Sequence, residues 1–435
     1  MNILDFGAIP DGKTICTKAI QSAIDTCAAQ GGGTVTVPPG LFITGTIWLK
    51  SHVELHLEMG ALLKGSPNLD DYCNVESYPQ NGKCDVEQWN GAHLLVAVEQ
   101  EDVALSGPGT IDGNGEWFFE DEIAPPHGFV WFEGFRLARD KQRLRPGQML
   151  VFCECSNVRV SNLTLRNSTC WTLFLHGCVD VIVTGLNIRN PKVNGNTDGI
   201  DIDCCDGVTV SDCIIHTGDD AITLRGNPKR LKDNSRACQN ITITNCVLDC
   251  AVCGFRIGVG DGIIRHAAIS NITMKRVSRG FLFQSAYWEP STGTTISDIA
   301  ISNIQMHSVS SPIYVTSGAP SATAQIEDIR INGLYGHCHA DCQFTGSDKM
   351  QPRRITLSNV DLTVEASPVK LASPYKYPAN LFVFRQVKDV TLDNVRITWA
   401  DDAEKAWQQT KYVKDSDVTI RDNCSLPEPP ARTAS

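Results

Sequence analysis

Asp198 closes the tripeptide Asn196-Thr197-Asp198, and two neighbouring carboxylates, Asp219 and Asp220, follow 21 and 22 residues later. Carboxylates in such a set can divide acid–base work. One protonates a leaving oxygen while another activates water, which is what hydrolysis of a bond between two sugars requires. Two adjacent carboxylates with a third one repeat away repel one another, so a purely structural role would be expensive. Their coupling raises at least one pKa, as a general acid needs. Isolated aspartates such as Asp112, Asp212 and Asp298 read instead as turn residues.

The elements that must hold these carboxylates are visible as a repeat. The pattern apolar–x–apolar–x–Asn/Asp/Gly–apolar recurs as VRVSNLTL (158–165), VIVTGLNI (181–188), VTVSDCII (208–215), ITITNCVL (241–248) and on to VTLDNVRI (390–397). Its fifth position falls at Asn162, Gly185, Asp212, Asn245, Asn271, Asn303, Gly333, Asn359 and Asn394. β-Branched, period-2 segments are strands. A returning strand pattern that cannot bury its own apolar face predicts a solenoid of stacked copies, here an all-β parallel β-helix. The Asn, Asp or Gly at the fifth position suits a tight left-handed corner, a structural rather than a chemical role. Thr17 to Gln30 has helical apolar spacing and ends at Gly31-Gly32-Gly33, as expected of a cap over the solenoid's open end.

Five strands align by their inward apolar pairs: Leu173/Leu175, Ile200/Ile202, Ile222/Leu224, Phe255/Ile257 and Phe281/Phe283. Alternation then turns Phe174/His176, Asp201/Asp203, Thr223/Arg225, Arg256/Gly258 and Leu282/Gln284 outward. Just before each later pair stand Asp198, Asp220, Cys253 and Arg279. This register expects Asp198 and Asp220 in equivalent positions on adjacent rungs, roughly 4.8 Å apart, with Asp219 pointing elsewhere. Asn196, His176, Asp201, Arg225, Arg256, Arg279 and Gln284 are the expected substrate contacts. For His176 a ladder or core contact is the competing reading; Asp201, with Asp203, reads as lining the cleft or binding a cation.

The formal net charge of −11 argues against nucleic acid as a partner. No apolar run reaches the length of a transmembrane helix, so no membrane partner is expected. The chain starts MNILDFGAIPDG, without the charged and apolar regions of a secretory signal, and its 18 cysteines lack a compact framework. The expectation is a cytoplasmic protein with reduced thiols, reversed if a signal was trimmed. One domain over 1–435 is expected, with residues 1–50 as the cap region and a Pro-containing disordered tail over 424–435. Oligomeric state is not legible.

The motifs NTDGIDID and TGDDAITLRG, preceded by DFGAIPDGKTICTKAIQSAIDTCAAQGGGTVTVPPGLFITG and GPGTIDGNGEWF, resemble glycoside hydrolase family 28, the polygalacturonase-like enzymes, in its bacterial branch. The resemblance covers about residues 3 to 310 and implies a right-handed helix and an inverting hydrolase of a carbohydrate substrate. It assigns Asp219 as general acid and Asp198 with Asp220 as the water-activating pair. Inversion calls for roughly 6.5–9.5 Å between acid and base. No metal or cofactor is implied.

Two departures stand out. Cys253 occupies the place of a family His, and Leu282 and Gln284 occupy the places of an Arg-x-Lys that holds a galacturonate carboxylate. The expected function is therefore an exo-acting hydrolase of α-linked, uronic-acid-containing pectic chains. Rhamnogalacturonan or another less charged α-glycoside is the alternative substrate; a polysaccharide lyase or epimerase, or an inactive carbohydrate-binding β-helix, is the alternative class. The basic stretch Arg136, Arg139, Lys141, Arg143 and Arg145 reads as a solvated loop or as a loop meeting an acidic sugar, and Tyr287 and Trp288 as sugar-stacking or packing rings. Segments 66–95 and 113–147 are long enough to wall off one end of a cleft.

Overall fold

The computed structural model describes residues 1–125, 131, 134–287, 291–367, 379–403 and 407–430. The chain groups into two compact units: residues 1–125, 134–219 and 228–236 form the first, and residues 126–133, 220–227 and 237–435 the second. Trp288 lies outside the described residues.

The first unit opens with the helix Thr17–Ala29, whose Ile20, Ala23, Ile24 and Cys27 are buried. It stops where Gly31 and Gly32 take φ of 97° and 102°. A Cβ on Gly32 would meet the carbonyl oxygen of His52 at 2.3 Å, so the exit from the helix needs glycine. Beyond the cap, each turn of the chain makes three short parallel strands. One sheet stacks Leu95–Val98, Leu150–Cys153, Leu173–His176 and Ile200–Asp203 in the register Leu95, Leu150, Leu173, Ile200. A second stacks Glu101–Ser106, Ser156–Ser161, Val179–Thr184 and Asp206–Ser211. A third stacks Thr110–Asp112, Thr164–Arg166, Asn187–Arg189 and Ile214–Thr217. The inward columns, such as Leu150, Leu173 and Ile200, are fully buried and form the core.

The second unit repeats the design with longer strands that run through the corners, including Ile263–Gln284 and Thr295–Thr316. Phe255 stacks on Phe281 with ring centres 5.2 Å apart, and Phe344 on Phe384 at 5.1 Å, so aromatic rings on neighbouring rungs stack within the core. The expected inward pairs hold here: Ile222 faces Phe255, and Phe255 and Ile257 face Phe281 and Phe283.

The repeat's fifth position is the corner. Asn162, Asp212, Asn245, Asn271, Asn303, Asn359 and Asn394 have φ between 53° and 62°, and Gly185 and Gly333 have 66° and 78°. In the second unit the corner amides form a ladder. Asn303 Nδ2 donates to Asn271 Oδ1, and Asn394 Nδ2 to Asn359 Oδ1, each at 2.7 Å. Where the corner residue is Gly333, the rung is supplied by Asn332, which accepts from Asn359 at 2.7 Å.

All 18 cysteines are free thiols. Among the described residues no helix is long and apolar enough to cross a membrane. The segment after Asn423 is more ordered than its composition suggests. Ser425 accepts from Ile397 N–H at 3.0 Å, and Pro427 C=O accepts the indole N–H of Trp399 at 2.9 Å. Residues 431–435 lie outside the described residues.

Candidate active site

Asp198 and Asp219 are brought together inside the first unit by a turn that joins Asn187–Arg189 to Ile200–Asp203. Thr197 Oγ1 donates to Asn194 C=O at 2.5 Å and receives Gly218 N–H at 3.2 Å. Asn190 Nδ2 reaches both Thr172 Oγ1 (2.7 Å) and Thr197 C=O (3.2 Å), while Thr172 N–H donates to Asp198 C=O at 2.8 Å. Gly218 is required by this packing, since a Cβ there would sit 2.2 Å from Asn194 C=O. Thr217 Oγ1 then holds Asp219 C=O at 2.9 Å.

The outcome is a buried Asp198, 5% exposed, and a half-buried Asp219. A carboxylate oxygen of one lies within 4.8 Å of an oxygen of the other. This is shorter than the roughly 6.5–9.5 Å expected between acid and base of an inverting enzyme. The turn draws Asp219 back toward Asp198, because Asn196, in the left-handed region at φ 56°, donates its N–H to Asp219 Oδ2 at 3.0 Å. Oδ2 is thereby committed as an acceptor, and a proton on Asp219 belongs on Oδ1.

Asp220, the next residue, belongs to the second unit and is 2% exposed. Its Oδ1 accepts the N–H of Cys253 at 2.9 Å, and its Oδ2 is ion-paired with Nε of Arg256. Arg256 is itself 8% exposed and stacks over Tyr287, 5.0 Å from the ring centre. The acid beside it drives its pKa up against the burial that opposes it. Cys253 is fully buried, and that burial, with Asp220 adding to it, pushes its thiol well above the usual range. It is a space-filling group, not a nucleophile.

The expected substrate contacts fare unevenly. Arg279 packs its guanidinium 4.4 Å from the ring centre of Tyr314, a partner overlooked in the sequence although it falls in the outward column opposite Leu282. Leu282 is fully buried, and Gln284 spends its amide on Ala286 C=O at 3.0 Å. Arg225 is half-buried, but not opposite Gly258 as simple alternation predicts. The pairing slips between Leu224–Ile257 and Gly226–Gly260, with Gly258 and Val259 at φ 144° and 71°, so two residues bulge against one.

Outward did not mean exposed. Asp201 is fully buried and His176 is 6% exposed. They stand in register with Phe174 and Asp203, and His176 stacks on Phe174 at 5.2 Å. Phe174 packs against a cluster in which Tyr78 and Leu231 cover Val96, Val151, Cys153 and Cys204. Period-2 alternation fixes which face a side chain takes and not what folds across that face.

The basic stretch is largely solvated over Arg139, Lys141 and Arg143, but its cations are ion-paired rather than an open cationic surface. Arg136 pairs with Glu116 (2.7 Å), Arg139 with Asp121 (3.0 Å), Lys141 with Glu120 (3.3 Å) and Arg143 with Asp70 (2.6 Å). Arg145 is buried. Segments 66–95 and 113–147 do pack together: Asn90 N–H donates to Arg145 C=O at 3.0 Å, and Asn90 Nδ2 donates to Arg143 C=O at 2.9 Å.

The chain is similar to known proteins in both sequence and fold. The model of "Glycosyl hydrolases family 28" matches residues 27–374. A probable polygalacturonase of Vitis vinifera is 30% identical over 52% of this chain and 44% of its own length. An exopolygalacturonase of Zea mays is 23% identical over 95% of this chain and 87% of its own. The chain thus spans about half the length of the grape relative. The solved family 28 exopolygalacturonase of Yersinia enterocolitica superposes with a TM-score of 0.73 at 20% identity, covering 97% of this chain and 78% of that one. The all-β, right-handed parallel β-helix is the shared fold. The chain belongs to glycosyl hydrolases family 28.

Proposed function

We propose that this protein is an inverting glycoside hydrolase of α-linked, uronic-acid-containing pectic chains, acting from a chain end. The observation that carries the hydrolase part of this reading is the Asp198–Asp219 pair, with Asp219 half-buried, its Oδ2 tied to Asn196 N–H, and an oxygen of buried Asp198 within 4.8 Å of one of its own; inversion is what the family resemblance implies. Asp219 delivers the proton on Oδ1 to the glycosidic oxygen as the bond breaks. Asp198 takes a proton from the attacking water. Both carboxylate oxygens of Asp220 are engaged, by Cys253 N–H and by Arg256, so the acid role is assigned to Asp219. Exo action is supported by the packing of segments 66–95 and 113–147 on one another, and by relatives named exopolygalacturonase.

The short acid–base separation favours one second reading, retention, with Asp198 as nucleophile. The test is proton NMR of the first-formed anomer from pectic oligosaccharides. A product of inverted configuration supports the proposal; a retained one replaces it. Growth of absorbance near 235 nm would instead make the protein a lyase.

A further inference from the structure

Arg145 opens the segment RPGQML, which also resembles the family, and its side chain is built into the Gly195–Asn196 turn. It is 3% exposed. Nη1 donates to Thr169 C=O and to Gly195 C=O (3.2 Å); Nη2 donates to Glu87 C=O (2.8 Å) and to Asn196 Oδ1 (3.1 Å). Phe119 covers its plane at 4.7 Å, and its buried Nε has no hydrogen-bond partner.

Every one of these acceptors is neutral, and a buried cation without an ion pair is costly. The titratable groups whose charges act on it are Cys170, Glu87, Asp198 and Asp219. Burial pushes the guanidinium pKa down, and these acids oppose that fall. The same residue reaches Asp219 through hydrogen bonds as well: Arg145 holds Asn196, whose N–H holds Asp219 Oδ2.

We infer that Arg145 is a positioning residue for the acid–base pair, fixing the Gly195–Asn196 turn that orients Asp219 and offsetting the joint negative charge of Asp198 and Asp219. This rests on the glycosidase reading. The interaction is reciprocal: removing the cation must raise the pKa of both carboxylates.

The test compares wild type with Arg145→Met, Arg145→Lys and Asn196→Gly. In Arg145→Met both limbs of the pH–rate profile on a pectic oligosaccharide move up. Its kcat falls on the order of 100-fold, with KM within about threefold of wild type. Arg145→Lys keeps the charge and therefore the limbs, but loses the fork and kcat. Asn196→Gly keeps the N–H to Asp219 and the left-handed φ while severing the link to Arg145, so kcat falls without movement of the limbs.

Carboxyl 13C NMR titration of Asp198 and Asp219 in Arg145→Met and wild type reads the charge effect without turnover. An upward shift supports the inference even if wild type cleaves no pectic fragment, in which case the glycosidase reading alone fails. Unshifted carboxylates in Arg145→Met overturn it. Should that variant not fold, wild-type kcat in both Arg145→Lys and Asn196→Gly overturns it.

Discussion

The Asp220 carboxylate is ion-paired with Arg256 while both are almost fully buried, at 2% and 8% exposure. A buried pair is worth little relative to an apolar substitute, but breaking it strands a charge. Arg256→Met should therefore destabilise the second unit by about 3–5 kcal/mol. Arg256→Lys should be milder, since it keeps charge. Urea unfolding of both variants, followed by tryptophan fluorescence, checks the order; equal stability of Arg256→Met and wild type would discard the pairing as a stability element.

Asp219→Asn should remove turnover, because the amide can accept from Asn196 N–H but has no proton to give at Oδ1. The expected loss in kcat is on the order of 10²–10⁴. Asp219 is half-exposed, so the melting temperature should stay near that of wild type. Retained hydrolysis, measured by new reducing ends, would assign the acid elsewhere.

Leu282 is buried and Gln284 is committed to Ala286 C=O, so neither position grips a sugar carboxylate. Oligogalacturonate and its methyl ester should be cleaved with kcat/KM values within about tenfold of each other. KM should respond weakly to salt, because no exposed cation–carboxylate contact is being screened there. A preference for the charged chain by several orders of magnitude would show that another cation has taken over.

His93 is fully buried, donates Nδ1–H to Gln148 C=O at 2.8 Å, and has its pKa pushed down from 6.5 to about 4 by burial. A folded-state pKa below the unfolded value means the neutral ring is favoured on folding. The stabilisation is complete above about pH 6.5 and is lost as pH falls toward about 4. The loss amounts to about 3 kcal/mol. His93→Gln should be less stable at neutral pH and show a flatter decline over that window. Parallel pH–stability curves for the two proteins would contradict this.

Asn303 sits at φ 53° and donates to Asn271 at 2.7 Å. Asn303→Ala should cost about 1–2 kcal/mol, combining the left-handed penalty with a lost hydrogen bond. Asn303→Gly should cost less, because it loses only the bond. Chemical denaturation separates the two; identical midpoints would mean the ladder, and not the backbone, carries the effect.

The sequence by itself determined the solenoid, the corner positions and most of the strand register. These follow from local rules: period-2 alternation picks the inward column, and only Asn, Asp or Gly takes a left-handed corner without large strain. It also marked Asp198, Asp219 and Asp220, since three carboxylates at one-repeat spacing have no inexpensive structural use. Burial across the outward faces was decided only by tertiary structure. Asp201 and His176 alternate outward as expected, yet the cluster containing Tyr78 and Leu231 packs over that face, and no local rule sees a segment from elsewhere in the chain. The bulge at Gly258 and Val259, which displaces Arg225 from its expected partner, likewise depends on the neighbouring rung. Arg145 is the sharpest case. Within a run of five cations its residue type says surface, and only long-range contacts with Thr169, Gly195 and Asn196 place its guanidinium against the turn that holds Asp219.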